Sequence, residues 1–197
     1  MPLVLASTSS TRLALLRAAG LDVEAVAPRV DEESIKGALV AEGATPRDIA
    51  DALAEAKSRK VAARYPDGIV LGCDQTLEHR GRLMSKFGDE TDAREGLRML
   101  AGQTHHLHSA IVAYEDTRPV WRHVGTARLE MRDLSGSFID DYVSRNWTEI
   151  RDCVGGYRLE GEGIRLFRAV EGNYFDVLGL PMIPLLSWLT DRGYLAS

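Results

Sequence analysis

The sequence predicts an α/β protein built on one mixed sheet. Helix-like and strand-like segments alternate along its 197 residues, with helical crossovers between some strands and short turns between others. Crossovers imply parallel neighbours and tight turns imply antiparallel ones, so the sheet is mixed rather than purely parallel. The length supports one substantial core, or two lobes on a shared sheet, within a single domain spanning residues 1–197.

Leu3-Val4-Leu5-Ala6 reads as a strand, and the Ser/Thr cluster after it caps a helix over residues 10–19 that Gly20 stops. Residues 23–27 form a second strand, and the acidic Asp31-Glu32-Glu33 that follows reads, taken alone, as a solvated loop. Thr45 as N-cap and Pro46 at the first helical position open a long helix to residue 64, which carries Ile49, Leu53 and Ala56 on one face and also Lys57. Ile69-Val70-Leu71-Gly72 is an interior strand that delivers Asp74 at its end, and His79-Arg80-Gly81-Arg82 is a hairpin turn. Lys86 precedes an amphipathic helix over residues 89–100. Two long strands, 104–113 and 120–131, are joined by the turn Glu115-Asp116-Thr117-Arg118-Pro119. A short helix over 135–142, a glycine-rich stretch over 154–163, a strand over 164–170 and a helix from Pro181 to residue 189 complete the chain. No repeat, low-complexity tract or flexible linker interrupts it.

Twenty-four basic and 29 acidic residues give a net charge of −5, with both signs mixed along the chain. This balance argues against general affinity for a nucleic-acid polymer or an anionic membrane, while leaving room for a small anion in a local basic pocket. The apolar runs fall far short of a bilayer span, and Met1-Pro2 leads into a strand without a basic leader region, so the expected location is cytoplasmic. Cys73 and Cys153 form neither a CxxC pair nor a disulfide framework, and nothing suggests structural zinc.

Candidate chemistry is scattered over several junctions. Ser7, Thr8, Ser9 and Ser10 precede a helix whose free N–H groups suit a phosphate, with Arg12 as a charged clamp. Without the glycine spacing of a phosphate loop, the same pattern is also an ordinary N-cap with a solvated arginine. Glu32 and Asp74 are the carboxylates to pair around a divalent cation, magnesium or manganese, which take few protein carboxylates and fill other positions with water and substrate phosphate. A structural carboxylate satisfied by backbone amides is an equal reading of Asp74. Lys57 and Lys86 suit phosphate neutralisation or a soluble helix face. Glu160 and Gln75 offer hydrogen bonds to a purine edge, or brace their loops. His106 and His108 share a strand face that His105 does not, so they form no spaced metal triad, and Cys73 reads as an inert core thiol.

A larger pattern joins these residues. Leu5-Ala6-Ser7-Thr8-Ser9, Arg12, Leu15-Leu16, Asp31-Glu32, Ala54-Glu55-Ala56-Lys57, Gly72-Cys73-Asp74-Gln75, Lys86, Glu171-Gly172-Asn173-Tyr174 and Val177-Leu178-Gly179-Leu180-Pro181, in that order, resemble the Maf family of nucleotide pyrophosphatases. The match runs over nearly the whole chain. It implies an inosine-triphosphatase-like fold with a central substrate cleft between two lobes of a mixed twisted sheet, a cytoplasmic homodimer, and hydrolysis of nucleoside triphosphates to monophosphate and pyrophosphate. By the same resemblance Asp74 is the catalytic proton acceptor and Glu32 its metal-holding partner. Ser7, Arg12, Lys57 and Lys86 lie on the phosphate side.

Asp74-Gln75 and the run Tyr157-Arg158-Leu159-Glu160-Gly161-Glu162-Gly163-Ile164-Arg165-Leu166-Phe167 resemble the branch acting on 7-methylguanosine triphosphate, where a Glu160 carboxylate can accept guanine N–H groups. Three positions depart from the pattern. Ser10-Thr11 replaces a proline and a following arginine or aromatic, so Thr11 offers no ring for stacking on a methylated base. Met84-Ser85-Lys86-Phe87 stands where the family has Gly-Lys-Pro, and Cys73 where it has alanine or serine. The alternatives within this resemblance are a thymidine and uridine triphosphate pyrophosphatase and a non-catalytic nucleotide-binding regulator of cell division.

Overall fold

Strand β1 (Leu3–Ala6) lies parallel to both β2 (Val23–Ala25) and β3 (Ile69–His79). Antiparallel pairing then carries the sheet through β5 (Thr104–Glu115), β6 (Arg118–Met131) and β7 (Phe167–Glu171), while β4 (Arg82–Met84) pairs with the far end of β3. The order is β2-β1-β3-β5-β6-β7 with β4 off this path, the mixed sheet that the crossovers and hairpins require. This description is drawn from a computed structural model and covers residues 1–196.

Two tight hairpins set the antiparallel half. Arg80 and Gly81 (φ 54° and 76°) join β3 to β4, and Asp116 and Thr117 (φ 48° and 61°) join β5 to β6. Positive φ at both central residues matches the natural twist of a hairpin. The second turn is tighter than the five residues read from sequence, because Glu115 pairs with Arg118 and Pro119 already belongs to β6.

Alternation along the strands divides the core. Leu3, Leu5, Ile69, Leu71 and Cys73 pack on one face with α1 (Ser10–Ala18) and α7 (Met182–Asp191), through Leu16, Leu185 and Leu189. Val4, Ala6, Val70, Ala110 and Val112 meet α3 (Pro46–Ala62) on the other face. A separate cluster around Leu77, Leu97, Leu107, Leu129 and Tyr142 seats α4 (Glu90–Leu100) and α5 (Gly136–Ile150) on the other lobe. β3 and β5 run through both lobes, so one continuous backbone ladder ties them together.

Several sequence expectations need correction. Asp31-Glu32-Glu33 is not a loop: Asp31 accepts from the Ser34 N–H at 3.0 Å and caps α2 (Glu32–Ala41). β3 does not stop at Gly72 but continues to His79, which places Asp74 inside the strand. The helix expected over 135–142 extends to Ile150, and residues Glu162–Leu166 are a 3-10 turn leading into β7 rather than its first half. A one-turn helix, α6 (Tyr174–Val177), precedes the closing helix.

Candidate active site

β3 has two different neighbours on one edge, and they do not meet. β1 leaves at the pair Ala6 and Gly72, and β4 arrives at the pair Leu77 and Met84, so residues 73–76 have no strand partner on that side. The sheet opens there beyond the carboxyl end of β1, the position where open α/β sheets hold ligands. A cleft of about 680 Å³ fills the opening.

The chain leaving β1 supplies one wall. Ser9 caps α1 by accepting from the Arg12 N–H at 3.3 Å, while the buried Ser7 hydroxyl accepts from the Ser9 N–H at 3.2 Å and from Arg12 Nη1 at 3.4 Å. Arg12 donates further to the carbonyls of Gly179 (Nε, 2.8 Å) and Cys73 (Nη1, 3.2 Å), so its guanidinium is held by backbone rather than by a carboxylate. The positive φ of Gly179, 87°, aims that carbonyl, and a Cβ there would lie 3.2 Å from Arg12 Nη2.

α3 supplies the opposite wall and its central cation. A Cβ on Gly72 would fall 2.2 Å from the Ala54 carbonyl oxygen, so this glycine lets α3 lie directly against β3. Thr76 reinforces the contact by donating to the Pro46 carbonyl at 2.8 Å. One turn of this close packing brings the buried Lys57 to Asp74, with Nζ 2.6 Å from Oδ1 and 3.0 Å from Glu32 Oε1 at the start of α2. Burial is the largest influence on Asp74 and raises its pKa against the pull of Lys57 and Arg12, with Glu32 adding to the rise. In Glu32 burial also pushes upward, but Lys57, Lys36 and Lys86 together overcome it and hold the carboxyl below its ordinary range. Two neighbouring carboxylates thus have affinities for a proton driven apart, the arrangement in which one serves as a base and the other stays charged.

Lys86 is exposed at the cleft rim between β4 and α4. The departure from the family pattern beside it has a packing explanation: the Phe87 ring fills the space over Gly96, where a Cβ would come within 2.1 Å of it. Phe87 anchors the loop to the lobe of α4 and α5 while Lys86 projects to the cleft.

The remaining candidates line the same cleft. Gln75 Nε2 faces three acceptors, Ser109 Oγ (2.9 Å) and the carbonyls of Asp176 and Val177 (3.0 Å each), so its two N–H groups brace α6 and only its carbonyl oxygen is left for a ligand. Glu160 Oε1 accepts from Arg158 Nε and Nη2 at 3.1 and 3.0 Å, which leaves Oε2 for a second partner. Thr11 sits on the α1 side. Ser7, Thr11, Arg12, Glu32, Lys57, Asp74, Gln75, Lys86 and Glu160, all nine residues picked from sequence, border one cavity. Sequence reasoning missed Lys36 and Arg158. Lys36 follows Glu32 at the i+4 spacing of one helix face, a signal hidden when the segment reads as a loop.

Among the described residues no cluster of three or more histidine, cysteine, aspartate or glutamate side chains is placed to hold a metal. Glu32 and Asp74 still fit a magnesium-like ion bound jointly with a phosphorylated ligand. They are hard oxygen donors within reach of one ammonium, and Lys57 engages one oxygen of each. The histidines lie elsewhere: His105 is fully buried against Tyr157, and His108 bridges Thr126 and Glu78. Cys73 is buried and its thiol is pushed up to about 11, as an unreactive core thiol should be. Among the described residues no helix is long and apolar enough to cross a membrane.

Fold and site together define an α/β protein whose cleft sets a cationic wall, suited to phosphates, against a buried carboxylate suited to proton transfer. The profile described as Maf-like protein matches residues 2–192, and the chain belongs to that family. It is 53% identical to a protein of Ruegeria pomeroyi named nucleoside triphosphate pyrophosphatase, over 98% of this chain and 97% of that relative. A Roseobacter denitrificans protein of the same name is 54% identical over 98% and 96%. A Rhizobium meliloti protein named 7-methyl-GTP pyrophosphatase is 49% identical over 97% and 96%.

Proposed function

We propose that this protein hydrolyses nucleoside triphosphates at the α–β phosphoanhydride, releasing a nucleoside monophosphate and pyrophosphate, and that it favours 7-methylguanosine triphosphate or another modified nucleotide. One observation supports this reading above the others: the buried Asp74 carboxylate lies on the cleft floor between Arg12 and Lys57, facing the opening that Lys86 and Lys36 border. A simple phosphate binder has no use for a buried acid among its cations. A hydrolase does.

In this mechanism Ser7, the α1 N-terminus and Arg12 hold phosphate oxygens from one side while Lys57, Lys36 and Lys86 meet them from the other. Charge that grows on the α-phosphoryl oxygens and the departing pyrophosphate meets fixed cations, which stabilise the transition state more than the bound substrate. Asp74 orients a water through Oδ2 and accepts its proton as oxygen attacks phosphorus. Its raised pKa makes it a better acceptor than an exposed aspartate. Glu32 and Asp74 would hold magnesium or manganese with the triphosphate, and that ion would neutralise phosphate charge and acidify the water. Glu160 Oε2 is the acceptor for purine N–H groups, with Gln75 and Thr11 shaping the neighbouring wall. The protein acts in the cytoplasm as a homodimer.

The test is a triphosphate panel with purified protein and magnesium or manganese, scoring pyrophosphate against orthophosphate. Pyrophosphate and 7-methyl-GTP preference are expected, with loss of turnover on chelation, and Asp74→Asn should lower kcat by about 10²- to 10⁴-fold. Orthophosphate as sole product would refute the cleavage position, a pyrimidine preference would reassign the base, and nucleotide binding without turnover would make the protein a regulator.

A further inference from the structure

α2 is a wall with two sides. Glu32 and Lys36 border the catalytic cleft, while Asp31, Ser34 and Ile35 border a second, open cavity of about 700 Å³, flanked on its far side by α3. Its apolar lining is formed by the half-buried Val30, Ile35 and Ala56, with Ala63 exposed at the edge. Its rim is cationic: Arg29, Arg59, Lys60 and Arg64 all line it. Among the described residues none of these four is ion-paired, although arginines elsewhere, such as Arg122 with Asp51 and Glu55, take carboxylate partners. The one acid present, Asp31, spends Oδ1 on the Ser34 N–H. Arg29 also holds left-handed backbone, φ 49°, a conformation that a side chain-bearing residue adopts at a cost.

Four unpaired cations clustered on a protein of net charge −5 gain from a bound anion, and the apolar lining between them favours an anion that carries an apolar body to cover it. We propose that this cavity is a second, non-catalytic site for a phosphorylated small molecule with an aromatic body, of the class of a nucleoside monophosphate. Occupancy acts on the reaction through α2, since the cap residue Asp31 faces this ligand while the adjoining Glu32 faces the cleft. α2 has no fully buried residue, so little core packing resists a shift of its first turn.

Hydrogen exchange on the full chain tests the site with guanosine 5′-monophosphate, ribose 5-phosphate and guanosine as probes. Guanosine 5′-monophosphate should slow exchange in residues 27–31 and 59–64, and the double variant R59S/R64S should lose that protection while keeping any at residues 7–12 in the cleft. Loss of one arginine contact corresponds to about tenfold in affinity. Neither arginine lines the cleft, so initial rates, read before product monophosphate accumulates, should match wild type. Protection of 27–31 that survives R59S/R64S overturns the proposal, as does its absence with every probe. Ribose 5-phosphate binding as tightly as guanosine 5′-monophosphate overturns the aromatic requirement. Protection needs no turnover, so an inactive protein that shows it sinks the proposed reaction and leaves this site standing.

Discussion

Lys57 holds Asp74 and Glu32 with one ammonium, and removing it would leave two carboxylates converging on a cleft floor where one is buried. Lys57→Met should therefore destabilise the fold by about 3 kcal/mol at neutral pH, the scale of a broken buried ion pair. The loss should shrink on acidification, because Asp74, with its raised pKa, takes up a proton first and removes the unpaired charge. Urea titrations of both proteins across pH check the sign. At the other end of the cleft, Glu160→Gln replaces an acceptor by a mixed group and should move the ratio of kcat/KM for 7-methyl-GTP over UTP by about tenfold, with kcat nearly unchanged. The ordered motifs made these residues legible. The partners of Gln75 were not, because its amide is taken by carbonyls 101 and 102 positions away, and no local pattern announces such a meeting.

α2 and α3 differ in how plainly a helix is written into its sequence. α3 declares itself through Thr45, Pro46 and a buried apolar face, whereas α2 buries no side chain fully and carries Gly37 in its middle, so its apolar residues draw no convincing stripe. Its stability leans on the Asp31 cap, and Asp31→Ala should cost about 1 kcal/mol and speed hydrogen exchange across residues 32–41. The far half of β3 is hidden for a related reason: Asp74, Gln75 and Thr76 are three polar residues in succession, and such a run facing a cleft looks in sequence like the end of a strand. The Phe87 loop is the opposite case, a local departure whose meaning lies in packing. Phe87→Ala should lower stability by about 2 kcal/mol and raise KM through the loosened Lys86, measured by thermal unfolding and steady-state kinetics on the same sample.

Across the molecule, the ladder of β3 and β5 couples two cores, and its weak point in acid is buried in one of them. His105 Nε2 meets the Tyr157 hydroxyl at 2.7 Å, while Nδ1 is buried without a partner. Burial, helped by His79 and His106, pushes its pKa down to about 4. The unfolded chain takes up that proton near the ordinary value of about 6.5, so stability is fully present above that pH, falls as pH drops, and is lost by the time pH passes the folded value. The loss should approach 3 kcal/mol, about what a shift of this size represents. His105→Gln keeps a polar partner for Tyr157 and should flatten the profile between those limits in denaturant titrations. The mixed sheet could be read from spacing alone, but this histidine could not, since its burial depends on Tyr157 and Phe167 arriving from the glycine-rich segment and β7.

The unpartnered stretch of β3 has a bearing on solubility as well as on chemistry. Bare strand backbone inside a sheet invites another chain to add itself there. Arg12 obstructs this by donating to the Cys73 carbonyl, so its guanidinium serves as a stopper in the gap. Arg12→Ala should thus do more than weaken phosphate binding: it should make the folded protein self-associate, and light scattering should show triphosphate protecting wild type and variant unequally.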